Sequence, residues 1–185
     1  MNSALVTGAS RGIGLGIATR LAERGYSLTI SARGAERLET VAEQLREAGA
    51  KEVRAVAADL ADPEATARVV ETHRETFGDM KALILNAGVG TAGSIAEFPA
   101  RRFDKTLAVN LGAPFALIQA SLPLLRAAAQ NDPDRGAKIV ALSSITGVYA
   151  EAGLAAYGAT KAALISLVET LNEEESGNGI SASAL

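Results

Sequence analysis

The chain of 185 residues contains no cysteine and only one histidine, His73. Without cysteine, neither a disulfide framework nor a thiolate metal site can form. One histidine cannot build a zinc site or a Ser-His-Asp triad alone, so we expect no bound metal. The polar neighbours Thr72 and Arg74 indicate a polar helix face, and they predict a surface position for His73.

Strong charge and long apolar runs are also missing. A formal net charge of -3 gives no electrostatic basis for binding nucleic acid or an anionic membrane. The most apolar long stretch, residues 111–125, is interrupted by Gln119, Ser121 and two prolines, so we expect no membrane-spanning helix. No basic segment followed by a long apolar one opens the chain, so no signal peptide is indicated. The expected protein is soluble and cytoplasmic.

Short aliphatic runs alternate with longer amphipathic stretches along the chain. Strands are predicted at residues 5–7, 28–30, 53–57, 83–85, 139–142 and 180–185. Helices are predicted at residues 13–24, 36–47, 62–77, 101–129 and 155–172, with Pro114 and Pro123 marking bends or turns inside the fourth. This alternation predicts parallel strands joined by right-handed crossovers, a doubly wound, Rossmann-type α/β sheet. The length fits one domain over residues 1–185.

A glycine-rich turn follows the first predicted strand, with Gly8, Gly12 and Gly14 before and at the start of a helix. Glycines let the backbone approach a pyrophosphate closely, and the free N–H groups of a helix start face the anion. The spacing is wider than the G-x-G-x-x-G fingerprint. A tight turn without a ligand is the alternative, but the position directly after the first strand favours a nucleotide site.

The end of the second predicted strand indicates which dinucleotide would bind. Dinucleotide folds usually place an acidic residue there for the ribose hydroxyls, whereas this chain has Ser31, Ala32 and Arg33. Arg33 would attract a 2′-phosphate, and Arg11 in the glycine-rich turn can approach the same group. These cations favour NADP(H) over NAD, although two ordinary surface arginines are the alternative.

Tyr157 and Lys161 lie four residues apart and therefore share one face of a helix. A nearby ammonium favours the ionised form of a phenol, so such a pair can pass a proton at neutral pH. The serine pair Ser143-Ser144 precedes them. Together with a nucleotide site, these residues suggest a redox enzyme acting on a carbonyl or an alcohol. The alternative is a half-buried tyrosine, a solvated lysine and a strand-end hydroxyl with no shared role.

Several short motifs occur in order along the chain. They are Thr7-Gly8 through Gly14, Asp59-Leu60, Asn86-Ala87-Gly88, Val109-Asn110, Ser143-Ser144 and Tyr157-Gly158-Ala159-Thr160-Lys161. In this register the chain resembles the short-chain dehydrogenase/reductase family, from Ala4 onward.

The resemblance implies two groups of site residues. Those expected at the cofactor are Gly8, Ser10, Arg11, Gly12, Ile13, Gly14, Arg33, Asp59, Leu60, Asn86, Ala87, Gly88, Tyr157 and Lys161. Those expected in catalysis are Ser144, Tyr157, Lys161 and Asn110. Tyr157 would exchange a proton with a small-molecule carbonyl or alcohol, Lys161 would stabilise the phenolate, and Ser144 would bond the oxyanion. Asn110 would kink its helix and hold a water in a proton relay.

The resemblance also raises expectations about the whole protein. It implies a homodimer or homotetramer built from helices 101–129 and 155–172. Family members continue beyond the sixth strand, so we expect the sequence to be C-terminally incomplete, with that strand at an exposed sheet edge. The acidic run Glu173-Glu174-Glu175 is predicted to be solvated. A non-catalytic NADP-binding regulatory protein is the main alternative, and an inactive fragment that does not fold stably is another.

Overall fold

Aliphatic runs buried on both sides form the centre of a parallel sheet in the computed structural model, which describes residues 2–185. The strands are β1 Ser3–Thr7, β2 Ser27–Ala32, β3 Val53–Ala57, β4 Ala82–Leu85, β5 Ala137–Ala141 and β6 Ile180–Ala184. The helices are α1 Gly12–Glu23, α2 Ala35–Glu47, α3 Pro63–Phe77, α4 Ala100–Leu107, α5 Ala113–Asn131 and α6 Ala155–Glu175. Every residue of the central strands β1 and β4 is buried, as expected for parallel strands covered on both faces.

The strand order is β3-β2-β1-β4-β5-β6, and all neighbouring strands pair in parallel. The chain builds outward from β1 to β3 and then returns to place β4 on the other side of β1. This reversal opens a crevice at the carboxyl ends of β1 and β4. The predicted doubly wound, Rossmann-type sheet is therefore confirmed, and β6 is an edge strand.

The core has two layers because successive strand residues point to opposite faces of the sheet. Leu5 packs in a cluster with residues of α3, α5 and α6. Its neighbour Val6 packs in a second cluster with residues of α1 and α2. The sheet thus lies between two helical layers, and its carboxyl edge is left free for loops.

Local signals place α3 as predicted. The Asp62 side chain accepts a hydrogen bond from the Glu64 N–H at 2.9 Å, and Pro63 occupies the first helical position. Gly78 ends the helix with a φ of 75°, a conformation that suits glycine.

The long helical region, predicted as one helix over residues 101–129, consists of α4 and α5 with an irregular turn between them. Pro123 lies within α5, and Pro114 lies in its first turn. The irregularity is a π-helical turn, Ala108–Gly112, between α4 and α5. By length and mean hydropathy of 1.5, residues 100–131 would pass as a membrane span. Leu117, Leu124 and Leu125 instead pack in the core against the sheet, and a core helix passes the same test.

The prediction that His73 lies at the surface is wrong, because α3 packs its imidazole under β1 and β2 with no exposed area. One ring nitrogen, Nε2, lies 3.0 Å from the carbonyl oxygen of Asp79. That oxygen only accepts, so Nε2 carries the proton and Nδ1 accepts from the Thr29 hydroxyl at 2.9 Å. Burial lowers the pKa of His73 to about 4.

The prediction for the acidic run is wrong at its last residue. Glu173 and Glu174 are exposed, but the Glu175 side chain is only 5% exposed and forms an ion pair with Arg126 of α5. The Arg126 Nε donates to Glu175 Oε2 at 2.9 Å. This hydrogen bond holds the pKa of Glu175 below its usual range. The end of α6 thereby docks on α5.

Candidate active site

The glycine-rich turn is tied to the end of β4 by side-chain hydrogen bonds. Asn86 Nδ2 donates to the carbonyl oxygens of Thr7 and Gly8 at 2.9 and 3.1 Å. The Thr7 hydroxyl accepts from the N–H groups of Asn86 and Ala87 at 3.0 and 3.1 Å. Gly8 and Gly12 have φ values of 66° and 59°, which L side chains rarely adopt. The ends of β1 and β4 are therefore held together around one crevice.

A cleft of about 340 Å³ lies over this crevice. Its lining contains many of the residues predicted at the cofactor, namely Gly8, Ser10, Arg11, Gly12, Arg33, Asp59, Leu60, Asn86, Ala87 and Gly88. Two predicted residues of the glycine-rich turn do not line it. Gly14 is buried beneath the turn, and Ile13 is 65% exposed.

Positive charge dominates the charged groups at this cleft. Arg11, Arg33 and Lys105 line it and are exposed, and none of them forms an ion pair within residues 2–185. Among the lining residues the acidic one is Asp59, whose carboxylate accepts from the Ala61 N–H at 3.1 Å. The cleft therefore suits an anionic ligand.

The predicted cofactor residues leave out several that line the cleft, among them Ser31, Lys105 and Val109. Lys105 and Val109 lie four residues apart, and this spacing together with the following Asn110 was a signal that could have placed both at the cleft. Ser31 is fully buried, and its Oγ has no hydrogen-bond partner among the described residues.

Tyr157 and Lys161 lie on one face of α6, as their spacing predicts. The Lys161 Nζ lies 5.6 Å from the centroid of the Tyr157 ring and donates to the Leu142 carbonyl oxygen. A Cβ added at Gly88 would stand 3.8 Å from this Nζ, so the amine reaches the edge of the cleft. Burial lowers the pKa of Lys161, because desolvation disfavours the charged amine.

The two serines after β5 use their hydroxyls differently. Ser143 Oγ donates to the carbonyl oxygen of Lys161 at 2.9 Å and so joins this segment to α6. Ser144 Oγ accepts from the N–H of Thr146 at 3.2 Å and from its hydroxyl at 2.9 Å. The Ser143 hydroxyl is therefore committed to the fold, whereas the Ser144 hydroxyl keeps its own proton to donate.

Asn110 lies in the π-helical turn, so the helix irregularity expected there is present. Its Oδ1 accepts from the Val89 N–H at 2.8 Å. Its Nδ2 donates to the Val89 carbonyl at 3.0 Å and to the Thr160 hydroxyl at 3.2 Å. The side chain thus links the segment after β4 to α6.

Known proteins with a similar sequence or fold support one family. The family model described as short chain dehydrogenase matches residues 2–185. A 3-oxoacyl-[acyl-carrier-protein] reductase FabG of Staphylococcus aureus is 34% identical over 185 residues, covering 99% of this chain and 72% of the relative. The Pseudomonas aeruginosa RhlG/NADP active-site complex superposes with a TM-score of 0.91 at 33% identity, covering 99% of this chain and 70% of that one.

The fold alone does not select the dinucleotide. An NADH-dependent reductase complexed with NAD has a TM-score of 0.92 at 23% identity, and the match covers 99% of this chain and 76% of that one. The family assignment therefore comes from the sequence matches together with the crevice, the glycine-rich turn and the order of elements around them. On this evidence the chain belongs to the short-chain dehydrogenase family of oxidoreductases.

Proposed function

We propose that this chain interconverts a carbonyl compound and a secondary alcohol with NADP(H), and that Tyr157 is the general acid and base. The observation that carries this proposal is the position of the Lys161 amine. It is buried, lies 5.6 Å from the centroid of the Tyr157 ring, and reaches the Gly88 edge of the cation-lined cleft. With the Lys161 amine at this edge, the Tyr157 phenol would lie beside a dinucleotide bound in the cleft. It could then exchange a proton with the oxygen of a substrate bound against that dinucleotide.

The residues around the cleft fit NADP(H). Nothing lies within 4 Å of where a Cβ would stand at Gly12, so a pyrophosphate has room to approach the first N–H groups of α1. Arg11 and Arg33 would bind the 2′-phosphate. Lys105 would add a third positive charge.

A bound nicotinamide would supply or accept the hydride, and the protein would manage one proton. In reduction Tyr157 would give its phenolic proton to the carbonyl oxygen, and in oxidation it would take a proton from the alcohol. Ser144 would donate a hydrogen bond to the oxyanion that develops on that oxygen. Burial lowers the pKa of Lys161 because desolvation disfavours the charged amine. A phenolate close by would act in the opposite direction and stabilise the ammonium.

Asn110 would contribute by holding the segment after β4 against α6, since both polar groups of its side chain bond Val89 or Thr160. Its role in a water relay stays a prediction. The same holds for the single domain over residues 1–185, the cytoplasmic location and the homodimer or homotetramer.

The proposal is tested by replacing Tyr157 with Phe, which removes the hydroxyl and keeps the ring. The purified protein is assayed on a panel of ketones and secondary alcohols with NADPH or NADP, and in parallel with NADH or NAD. We expect turnover with NADPH in preference to NADH, and a loss of about 10²–10⁴-fold in kcat for Tyr157→Phe. NADPH binding, followed by cofactor fluorescence, should change far less than kcat, because the phenolic proton is needed for the reaction step.

Tyr26→Phe is the matched control, because Tyr26 lies next to β2 outside the lining of the cleft. Full turnover by Tyr157→Phe would remove the acid/base role. A clear preference for NADH would overturn the assignment of Arg11 and Arg33. NADPH binding without turnover on any substrate would instead favour a regulatory protein.

A further inference from the structure

We infer that Thr146 is a positioning residue, whose hydroxyl holds the Ser144 hydroxyl as a hydrogen-bond donor towards the substrate oxygen. This inference rests on the proposed function, in which Ser144 bonds the developing oxyanion. Thr146 lies in the 3-10 turn Ile145–Gly147 that directly follows Ser144. None of the motifs that carry the family resemblance includes it.

The hydrogen-bond capacity of Ser144 leads to this role. A hydroxyl has one proton to donate and two lone pairs that accept. The Ser144 oxygen accepts from the Thr146 N–H at 3.2 Å and from the Thr146 Oγ1 at 2.9 Å. Both lone pairs are then occupied, so the O–H is left to donate. A donor already polarised by two incoming hydrogen bonds also bonds a negative oxygen more strongly.

The turn that carries Thr146 is packed directly on the catalytic helix. A Cβ at Gly158 would stand 2.8 Å from the Thr146 carbonyl oxygen, and a Cβ at Gly147 would stand 2.9 Å from the backbone carbon of Lys161. The backbones of the turn and the helix are so close that neither Gly147 nor Gly158 can be replaced by a larger residue without a shift. The Thr146 backbone therefore has a fixed position relative to α6, and a hydroxyl built on it can orient Ser144 with little reorganisation.

Ser144 accepts two hydrogen bonds from Thr146, and a purely structural role in the turn would need only the one from the backbone N–H. Serine side chains commonly accept from the N–H two residues later, which stabilises the local turn. That bond comes from the Thr146 backbone and is independent of its side chain. The second bond comes from the Thr146 side chain, through Oγ1, so a substitution of Thr146 can remove it and leave the backbone bond in place.

The test compares Thr146→Val, which keeps shape and backbone N–H, with Thr146→Ser, which keeps the hydroxyl. Each variant is measured for kcat and KM of carbonyl reduction, for NADPH affinity and for thermal midpoint. We expect Thr146→Val to lower kcat about tenfold, the value of one hydrogen bond in the transition state. NADPH affinity should not change, and Thr146→Ser should restore most of the rate. Thr76→Val, whose hydroxyl bonds the Thr72 carbonyl on α3, is the control.

The background of Ser144→Ala separates positioning from a structural effect. If Thr146 acts through Ser144, the double variant with Ser144→Ala and Thr146→Val has the same residual kcat as Ser144→Ala alone. An equal tenfold loss in both backgrounds would overturn the inference, as would an unchanged kcat for Thr146→Val alone. When Tyr157→Phe and Ser144→Ala are impaired but Thr146→Val is not, only this inference fails. When Tyr157→Phe and Ser144→Ala are both fully active, the proposed function and the inference about Thr146 both fail.

Discussion

At the scale of single residues, glycines of the same helix have very different surroundings. A Cβ at Gly14 would overlap both the Gly8 carbonyl oxygen and Asn86 Nδ2. At Gly16, two residues further along α1, nothing lies within 4 Å of the same position. The first glycine is thus required by the approach of α1 to the turn, and the second is not.

These two positions provide a matched pair of substitutions. Gly14→Ala should destabilise the fold by about 1–3 kcal/mol, because the methyl group forces the turn and Asn86 apart. Gly16→Ala should stabilise it by about 0.5–1 kcal/mol, because alanine is the better helix former. Urea unfolding measures both. Equal effects at the two sites would contradict the close approach at Gly14.

At the scale of elements, α5 and α6 are joined near their C-terminal ends by Arg126 and Glu175. The Glu175 side chain is 5% exposed, whereas that of Arg126 is 45% exposed. The carboxylate therefore depends on this partner more than the guanidinium does. Because the pKa of Glu175 is lowered in the fold, its stabilising contribution is complete above the unfolded pKa and is lost as pH falls through the folded value.

Arg126→Ala should therefore lower the urea midpoint of unfolding at pH 7, because a buried carboxylate loses its charged hydrogen bond. The loss should shrink as the pH falls below the ordinary carboxyl range, where Glu175 becomes protonated. Unfolding by urea is measured at pH 7 and at a series of lower pH values that extends below the ordinary carboxyl range, so that the ionised and protonated states are both sampled. Arg68→Ala, on the exposed side of α3, is the control. A loss that does not change with pH would contradict the ion pair as its source.

At the scale of the whole molecule, His73 connects α3 with β1 and β2. Its ring contacts the hydroxyls of Ser3 and Thr29 and the Asp79 carbonyl. These groups come from separate parts of the chain and meet only when α3 lies on the finished sheet. The pKa of His73 falls from 6.5 to about 4 on folding, so the unfolded chain binds more protons between those values.

The wild-type protein should consequently lose up to about 3 kcal/mol of stability as pH falls from 6.5 to 4. Above the unfolded pKa this contribution is fully present. His73→Gln should have a smaller pH dependence in that window, because glutamine does not titrate. The measurement is the free energy of unfolding across and above that window for both proteins. Identical pH profiles would contradict a buried, neutral His73.

The sequence alone predicted most of the elements and the relative placement of residues a few positions apart. Periodicity placed strands and helices, Asp62, Pro63 and Gly78 marked both ends of α3, and a spacing of four put Tyr157 and Lys161 on one helical face. Such features depend on backbone preferences and on neighbours a few residues away. A local stretch of sequence is therefore enough to predict them.

Only the tertiary structure decided which distant residues meet. It buried His73 beside Ser3, although 70 positions separate them, and it paired Glu175 with Arg126. The physical reason is that burial and pairing follow from how helices pack across the sheet, and no local pattern encodes that partner.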